Sequence, residues 1–134
     1  MNQRLDRIRK EVVALALNYG PANYDDQEGR WVRLAHLPLP TGWNRDATSL
    51  LIELPTAYPE VPPSGCFIDK GLNCSSHYYP GSQHNRYSEL GWAWFCLHFD
   101  QGWKPSADVW SGDNLLTIVE TIRTALSEII RAGP

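Results

Sequence analysis

One cysteine in the segment 91–105, GWAWFCLHFDQGWKP, is a group that can do chemistry. Cys96 lies among aromatic residues, and His98 follows two positions later. Such a cysteine can simply fill the core, because free cysteine is among the most buried residue types. It can instead be a nucleophile if its thiolate is partly accessible and is favoured by nearby dipoles or cations. A place at the end of an aromatic strand, before a Gly-Trp-Lys-Pro turn, is compatible with that second role.

A zinc site is a third interpretation of the same cysteine. Cys74 and His77 have the spacing C-x-x-H, and Cys96 and His98 have the spacing C-x-H. Thiolate and imidazole are ligands that suit zinc. The second pair lacks the usual two-residue gap, however, and side chains two residues apart on a strand share one face with little freedom. Since the sequence contains neither a C-x-x-C pair nor an H-x-x-x-H motif, we expect no metal site.

Size and composition narrow the function classes. The chain has 134 residues, the length of a single domain spanning 1–134, and is short for a papain-like peptidase, whose cysteine signatures are also absent. Hydrophobic residues make up 43% and charged residues 20%, which is typical of a soluble globular protein. The net charge is −3 and there is no basic stripe, so we expect no nucleic-acid partner.

The distribution of apolar residues and cysteines indicates where in the cell the protein is found. No apolar run approaches the roughly 18–20 residues that span a bilayer. The first twenty residues carry charge throughout, so we expect neither an export signal nor a membrane partner. Three cysteines, an odd number, favour reduced thiols over a disulfide framework. We therefore expect a cytoplasmic protein.

Hydrophobic periodicity predicts two long helices. Apolar residues recur at steps of three and four over 3–18 and again over 114–131, where the apolar face is broad. Asp113 is the expected N-cap of the second helix, and Gly133 with Pro134 is the expected stop.

Between the helices the sequence predicts short strands and two loops. The sequence predicts one loop over the polar stretch 20–29 and another over the irregular stretch 70–90. An irregular segment as long as 70–90 is usually functional in a compact domain. We expect an α+β domain, with an antiparallel meander of about four strands, a cysteine-bearing loop and both helices on one sheet face. The candidate strands are 30–40, 48–55, 66–69 and 92–99.

The order of motifs along the chain resembles that of the ubiquitin-conjugating (UBC) family. The stretch 50–63, LLIELPTAYPEVPP, resembles the strand and Tyr-Pro-x-x-x-Pro turn of that family. A cysteine followed by leucine comes next in the family, then a Trp-x-Pro and a helix. In this chain those motifs correspond to Cys96-Leu97, Trp103-Lys104-Pro105 and the helix from Asn114. The resemblance covers residues 3–131, and the chain ends after its second helix, as do the reduced UBC domains of bacterial conjugation systems.

The resemblance implies a UBC-like fold and a carrier function. Cys96 would accept a ubiquitin-like modifier as a thioester from an adenylating activating enzyme, and pass it to an amine of an acceptor protein. These three proteins are the implied partners, and no metal or organic cofactor is implied, since the energy is invested upstream in adenylation. The alternative is a non-catalytic UBC or RWD-like binding module, in which the same fold keeps a buried cysteine and only docks partners. Exposure of the Cys96 sulfur distinguishes the two.

The chain departs from the family just before its cysteine. The His-Pro-Asn tripeptide is missing, whose asparagine is usually assigned to stabilising the oxyanion formed on the thioester. The insertion CSSHYYPGSQHN occupies that region, and His77, His84 or Asn85 can supply a replacement donor. His98 stands where many relatives carry an acidic residue. It can lower the thiol pKa, accept the proton of the incoming amine, or be structural. The predicted site residues are therefore Cys96, His98, His77 and Asn85.

Overall fold

The computed structural model describes residues 2–74 and 78–132, and its architecture confirms the α+β fold. Helix α1 spans Gln3–Tyr19 and helix α2 spans Leu115–Ala132. Between them five strands form one sheet in the order β1-β2-β3-β4-β5, each antiparallel to the next, so the sheet is a meander. The strands are β1 Ala22–Tyr24, β2 Trp31–Pro38, β3 Ala47–Glu53, β4 Gly65–Asp69 and β5 Trp92–Cys96.

The sheet contains one strand more than we expected. Strand β1 lies inside the stretch 20–29, which the polar, turn-rich sequence predicted to be a loop. Its three residues pair with β2 from Ala22 opposite Leu34 to Tyr24 opposite Val32. A strand of three residues is too short to show an alternating pattern, so its pairing is a tertiary effect that local sequence does not reveal.

The start of α2 also differs from the expectation, by one residue. The side chain of Asn114 caps the helix, because its Oδ1 accepts hydrogen bonds from the main-chain N–H groups of Leu116 at 2.8 Å and Thr117 at 3.3 Å. Asp113 instead accepts a bond from the N–H of Lys104 at 2.7 Å, which fixes the preceding loop. The predicted stop at residues 133–134 lies outside the described residues.

The core lies between the helices and the inner face of the sheet. Alternate side chains of the strands, including Leu50, Ile68 and Phe95, join those of both helices in one buried cluster. Ile8 of α1 and Ile122 of α2 are fully buried in it. Of the helices within the described ranges, none is long and apolar enough to cross a membrane.

The opposite, outer face of the sheet is partly covered by a segment that precedes β5, residues 82–91, which we call the covering segment. The register places Phe67 between Leu51 and Trp94 on this face. Although it lies outside the main core, Phe67 is only 1% exposed. The rings of Tyr87 and Trp94 cover it, each with its centroid 5.0 Å from that of Phe67.

A buried carboxylate joins the two helices to the turn after β3. Glu11 is fully buried in α1, and its Oε1 accepts hydrogen bonds from the Tyr58 hydroxyl at 2.6 Å and the N–H of Leu115 at 2.7 Å. The Nε atom of Arg7 lies 3.5 Å from Oε2. Burial raises the pKa of Glu11, and the two hydrogen bonds and the Arg7 charge oppose this shift only in part.

Because of this raised pKa, ionisation of Glu11 should lower the stability of the folded protein as pH rises. The substitution Glu11→Gln should remove this pH dependence. A carboxyl that holds its proton more tightly in the folded protein contributes most stability below its unfolded pKa, and loses that contribution as pH rises through the folded pKa. The amide oxygen of Glu11→Gln can still accept both hydrogen bonds. We therefore expect the variant to gain stability relative to the wild type as pH rises above about 4. Urea unfolding from pH 4 to 8 measures this difference, and a constant difference would contradict the assignment.

Candidate active site around Cys96

The three cysteines lie in two different environments. Cys96 is the last residue of β5 and is exposed on the outer face, whereas Cys66 and Cys74 are buried, and all three thiols are free. Cys66 pairs with Phe95 on the inner face, and burial raises the pKa of its thiol. Core filling, one of the roles open to Cys96 from the sequence, therefore belongs to the other two cysteines.

A glycine opposite Cys96 lets the chain before β4 approach the thiol. Gly65 is the register partner of Cys96, and the Cys96 Sγ lies 3.9 Å from the carbonyl oxygen of Ser64. A Cβ atom on Gly65 would lie 2.6 Å from the Phe95 carbonyl oxygen and 2.8 Å from the Trp94 ring. Only glycine fits there without a shift of the β4–β5 pair.

Gly65→Ala should therefore lower the free energy of unfolding by about 1–3 kcal/mol, because both atoms that its methyl group meets are held by the sheet. Urea denaturation measures the change. The matched control is Ser64→Ala at the neighbouring exposed position, which keeps the carbonyl and should change stability by no more than about 0.5 kcal/mol. Equal effects of the two substitutions would show that the close approach at Gly65 is not what limits this position.

A pocket of about 330 Å³ lies against the β4–β5 pair that carries Cys96. Ser64 and Gly65, the neighbours of Cys96 described above, form part of its wall. Two of the proposed oxyanion donors, His84 and Asn85, line it as well. The remaining lining residues are Glu53, Phe67, Ser82, Arg86 and Trp94.

Asn85 uses its amide group to hold the covering segment against β5. Its Nδ2 donates to the carbonyl oxygens of Ser82 at 3.1 Å and Trp92 at 3.0 Å. Its Oδ1 accepts from the N–H of Tyr87 at 2.8 Å. Both amide hydrogens are thus bonded to main-chain oxygens. The ring of His84, in contrast, belongs to an exposed residue and makes no hydrogen bond to the described part of the chain.

Of the two other predicted site residues, the structure describes only His98, and it does not line this pocket. His98 lines a separate depression of about 160 Å³ near the start of α2, together with Trp103, Asp113 and Thr117. His77 lies outside the described residues. The structure thus brings Asn85 and His84 to the pocket against the β4–β5 pair, and places His98 two residues beyond the thiol in a different pocket.

The segment after Cys96 is fixed to the Tyr-Pro turn. The indole Nε1 of Trp103 donates to the carbonyl oxygen of Pro59 at 2.8 Å, and its ring centroid lies 6.2 Å from that of Tyr58. Tyr58 is in turn fully buried and bonded to Glu11. The Tyr-Pro turn and the Trp-x-Pro segment, which stand far apart in the sequence, therefore form one rigid support behind the cysteine.

A charged cluster on the outer face was not predicted from the sequence. Glu53, at the end of β3, forms an ion pair with Arg86 and accepts a hydrogen bond from the Tyr87 hydroxyl at 3.0 Å. The Arg86 guanidinium also lies 5.5 Å from the Phe67 ring centroid. The only sequence signal was the alternation of β3, which puts Glu53 on the outer face. Its partners come from an irregular segment some thirty residues later.

The zinc interpretation gains no support from the described residues. Within 2–74 and 78–132, no group of three or more His, Cys, Asp or Glu side chains is arranged to hold a metal ion. We predict no stoichiometric zinc in the purified protein, and elemental analysis measures it directly. One equivalent of zinc, lost on replacing Cys74 or His77, would instead establish a metal site that includes the residues between the described ranges.

Comparison with known proteins confirms the resemblance drawn from the motif order. The family described as prokaryotic E2 family E matches residues 17–129, a span that contains the whole sheet, Cys96 and most of α2. No curated protein and no solved structure matches the chain. With most of its length matched, and with the α+β meander and exposed cysteine described above, the chain belongs to prokaryotic E2 family E.

Proposed function

We propose that this protein accepts a ubiquitin-like modifier as a thioester on Cys96 and transfers it to an amine of an acceptor protein. Its E2 family makes it an E2-like conjugating protein in general, with a ubiquitin-like modifier and an activating enzyme as partners. The single observation that carries the proposal is the exposure of Cys96 at the end of β5, while the other two cysteines are buried. A carrier needs such an exposed thiol, whereas a binding module does not.

The chemistry proceeds in two exchanges at one carbonyl carbon. In charging, the Cys96 thiolate attacks the thioester between modifier and activating enzyme, and the thiolate of that enzyme leaves. In discharge, an acceptor amine attacks the new thioester and Cys96 leaves as a thiolate. Neither exchange changes an oxidation state or needs a metal. The upstream adenylation has already supplied the free energy.

The surroundings of Cys96 support this role by being both rigid and open. The contacts between Trp103, Pro59 and Tyr58 hold the segment after the cysteine, so the thiol is carried on fixed main chain. The pocket against the β4–β5 pair provides space for the substrate groups that reach the thioester. His98 lines a separate depression, so its proposed role as acceptor of the proton of the attacking amine rests on its place two residues beyond Cys96 in the sequence.

Reconstitution tests the proposal. The protein is mixed with ATP and with the activating enzyme and ubiquitin-like protein of its own source organism, and the products are separated with and without reducing agent. We expect an ATP-dependent conjugate that reducing agent removes, because an added thiol cleaves a thioester and not an amide. If no conjugate forms, and a small alkylating agent fails to modify Cys96 in the folded protein, the carrier function is wrong and the binding-module alternative stands.

A further inference from the structure

The hydrogen bonds of β5 reveal which main-chain groups point to each side of the strand. The N–H and carbonyl of Trp94 are both bonded to Ser82 of the covering segment, at 3.0 and 2.8 Å. The N–H of Trp92 likewise donates to the Tyr87 carbonyl at 3.3 Å. On the other side, the carbonyl of Gly91 accepts a bond from Lys70, which follows β4, at 2.9 Å. Even-numbered residues of β5 therefore direct their main-chain groups away from β4.

By the same alternation, the N–H of Cys96 points away from β4 and off the edge of the sheet. The covering segment pairs with β5 at Trp94, through Ser82, and extends no further along the strand. The N–H of Cys96 is the next main-chain donor along this edge, and the covering segment does not bond it. Within the described part of the chain, no loop carbonyl or side chain accepts this N–H. Cys96 thus carries both the exposed thiol and a main-chain donor that no described residue bonds.

We propose that the main-chain N–H of Cys96 is the oxyanion donor of this protein, in place of the asparagine that the sequence lacks. The inference rests on the carrier function proposed above. Asn85, the side chain closest in type to the missing donor, has both amide hydrogens bonded to the carbonyls of Ser82 and Trp92. Asn85 would have to break one of these bonds before it could donate to an oxyanion, whereas the Cys96 N–H would not. Strand β5 holds this N–H in place, so the main chain need not rearrange during the reaction.

The donor acts on the tetrahedral intermediate. The amine lone pair forms a bond to the thioester carbonyl carbon, and the carbonyl π electrons move to the oxygen. The oxyanion that results accepts a hydrogen bond from the Cys96 N–H. The carbonyl then re-forms and the C–S bond breaks with its electrons on sulfur. The proton that the amine nitrogen gives up ends on that sulfur, which leaves an amide and the Cys96 thiol. A nucleophile can supply its own N–H in this way, as the nucleophilic serine of serine proteases does.

Replacing the amide of residue 96 by an ester removes this N–H and leaves every side chain in place. The full chain is made by cell-free translation with the α-hydroxy acid analogue of cysteine at position 96. The matched control carries the analogue of tryptophan at position 94, which removes an N–H of the same edge that is bonded to Ser82. Both esters also weaken a carbonyl that faces β4, so a purely structural defect would affect the control at least as strongly.

Acylation and discharge are measured with a small probe. Each protein is incubated with excess benzyl thioester of acetylated Gly-Gly until intact mass shows complete acylation, and free lysine is then added. We expect the position-96 ester to discharge about 10²-fold more slowly than the all-amide protein, and the position-94 ester to discharge within about threefold of it. Discharge of the position-96 ester at the all-amide rate, or equal slowing of both esters, would overturn the proposal. If the all-amide protein is not acylated on Cys96 at all, the carrier function itself fails.

Discussion

Serine in place of Cys96 will turn the thiol-sensitive conjugate into one that survives reducing agent, or will abolish it. A serine hydroxyl is a poorer nucleophile than a thiolate, and the oxyester that it forms reacts less readily with thiols and amines. Because Cys96 is the exposed cysteine at the end of β5, its replacement removes the carrier group and leaves the sheet intact. Non-reducing and reducing electrophoresis of the charged variant measures the change.

The two other cysteines supply the controls. Cys66→Ser and Cys74→Ser should leave the thiol-sensitive conjugate unchanged, because both side chains are buried away from the modifier. A hydroxyl on the inner sheet face at position 66 carries a desolvation cost of about 1–3 kcal/mol, so Cys66→Ala provides the same control if the serine variant folds poorly. A conjugate that persists in Cys96→Ser with its thiol sensitivity unchanged, and disappears on replacing either buried cysteine, contradicts the assignment.

Tyr58→Ala should lower the free energy of unfolding by about 3–5 kcal/mol, the usual cost of truncating a fully buried aromatic residue. The side chain packs against Trp103, and its hydroxyl donates to the buried Glu11 carboxylate. Burial also raises the pKa of Tyr58, so the hydroxyl stays protonated and remains a donor. Tyr58→Phe retains the ring and should cost about 1–3 kcal/mol, because it leaves the buried carboxylate with one donor fewer.

Urea unfolding of the two variants separates the contribution of the ring from that of the hydroxyl. Tyr79→Ala is the control, since Tyr79 is 45% exposed and its truncation should stay within about 0.5 kcal/mol of the wild type. Equal losses for Tyr58→Ala and Tyr58→Phe would mean that the ring contributes nothing to the support behind the cysteine. A loss below about 1 kcal/mol for Tyr58→Ala would contradict its place in the core.

The fold was predictable wherever one side of an element is buried along its whole length. The helical period of α1 and α2 and the alternating burial along β2 and β3 leave little choice of element or face. Strand β1 was not predictable, because its three residues form a strand only through pairing with β2. The N-cap was misassigned by one residue because Asp113 and Asn114 are both good caps, and the loop contact of Asp113 to Lys104 is set by tertiary structure.

The sequence pointed to the exposed cysteine of the candidate site but not to its surroundings. Motif order singled out Cys96, and the alternation of β5 explains its exposure. The hydrogen bonds of Asn85 and the ion pair between Glu53 and Arg86 join residues from an irregular segment to two strands. No local pattern specifies such contacts. The same holds for the N–H of Cys96, which finds no acceptor in residues 2–74 and 78–132 because the covering segment stops pairing with β5 at Trp94.

Peptide mapping of the charged protein tests the carrier function most directly. The conjugate formed with activating enzyme, ATP and modifier is digested at low pH without reducing agent, and the attached residue is located by mass spectrometry. We predict that the C-terminal residue of the modifier is found on the peptide containing Cys96, through a bond that added thiol cleaves, with Cys66 and Cys74 unmodified. A modifier attached to a lysine or to another cysteine, while Cys96 remains free to react with an alkylating agent, would contradict the carrier function.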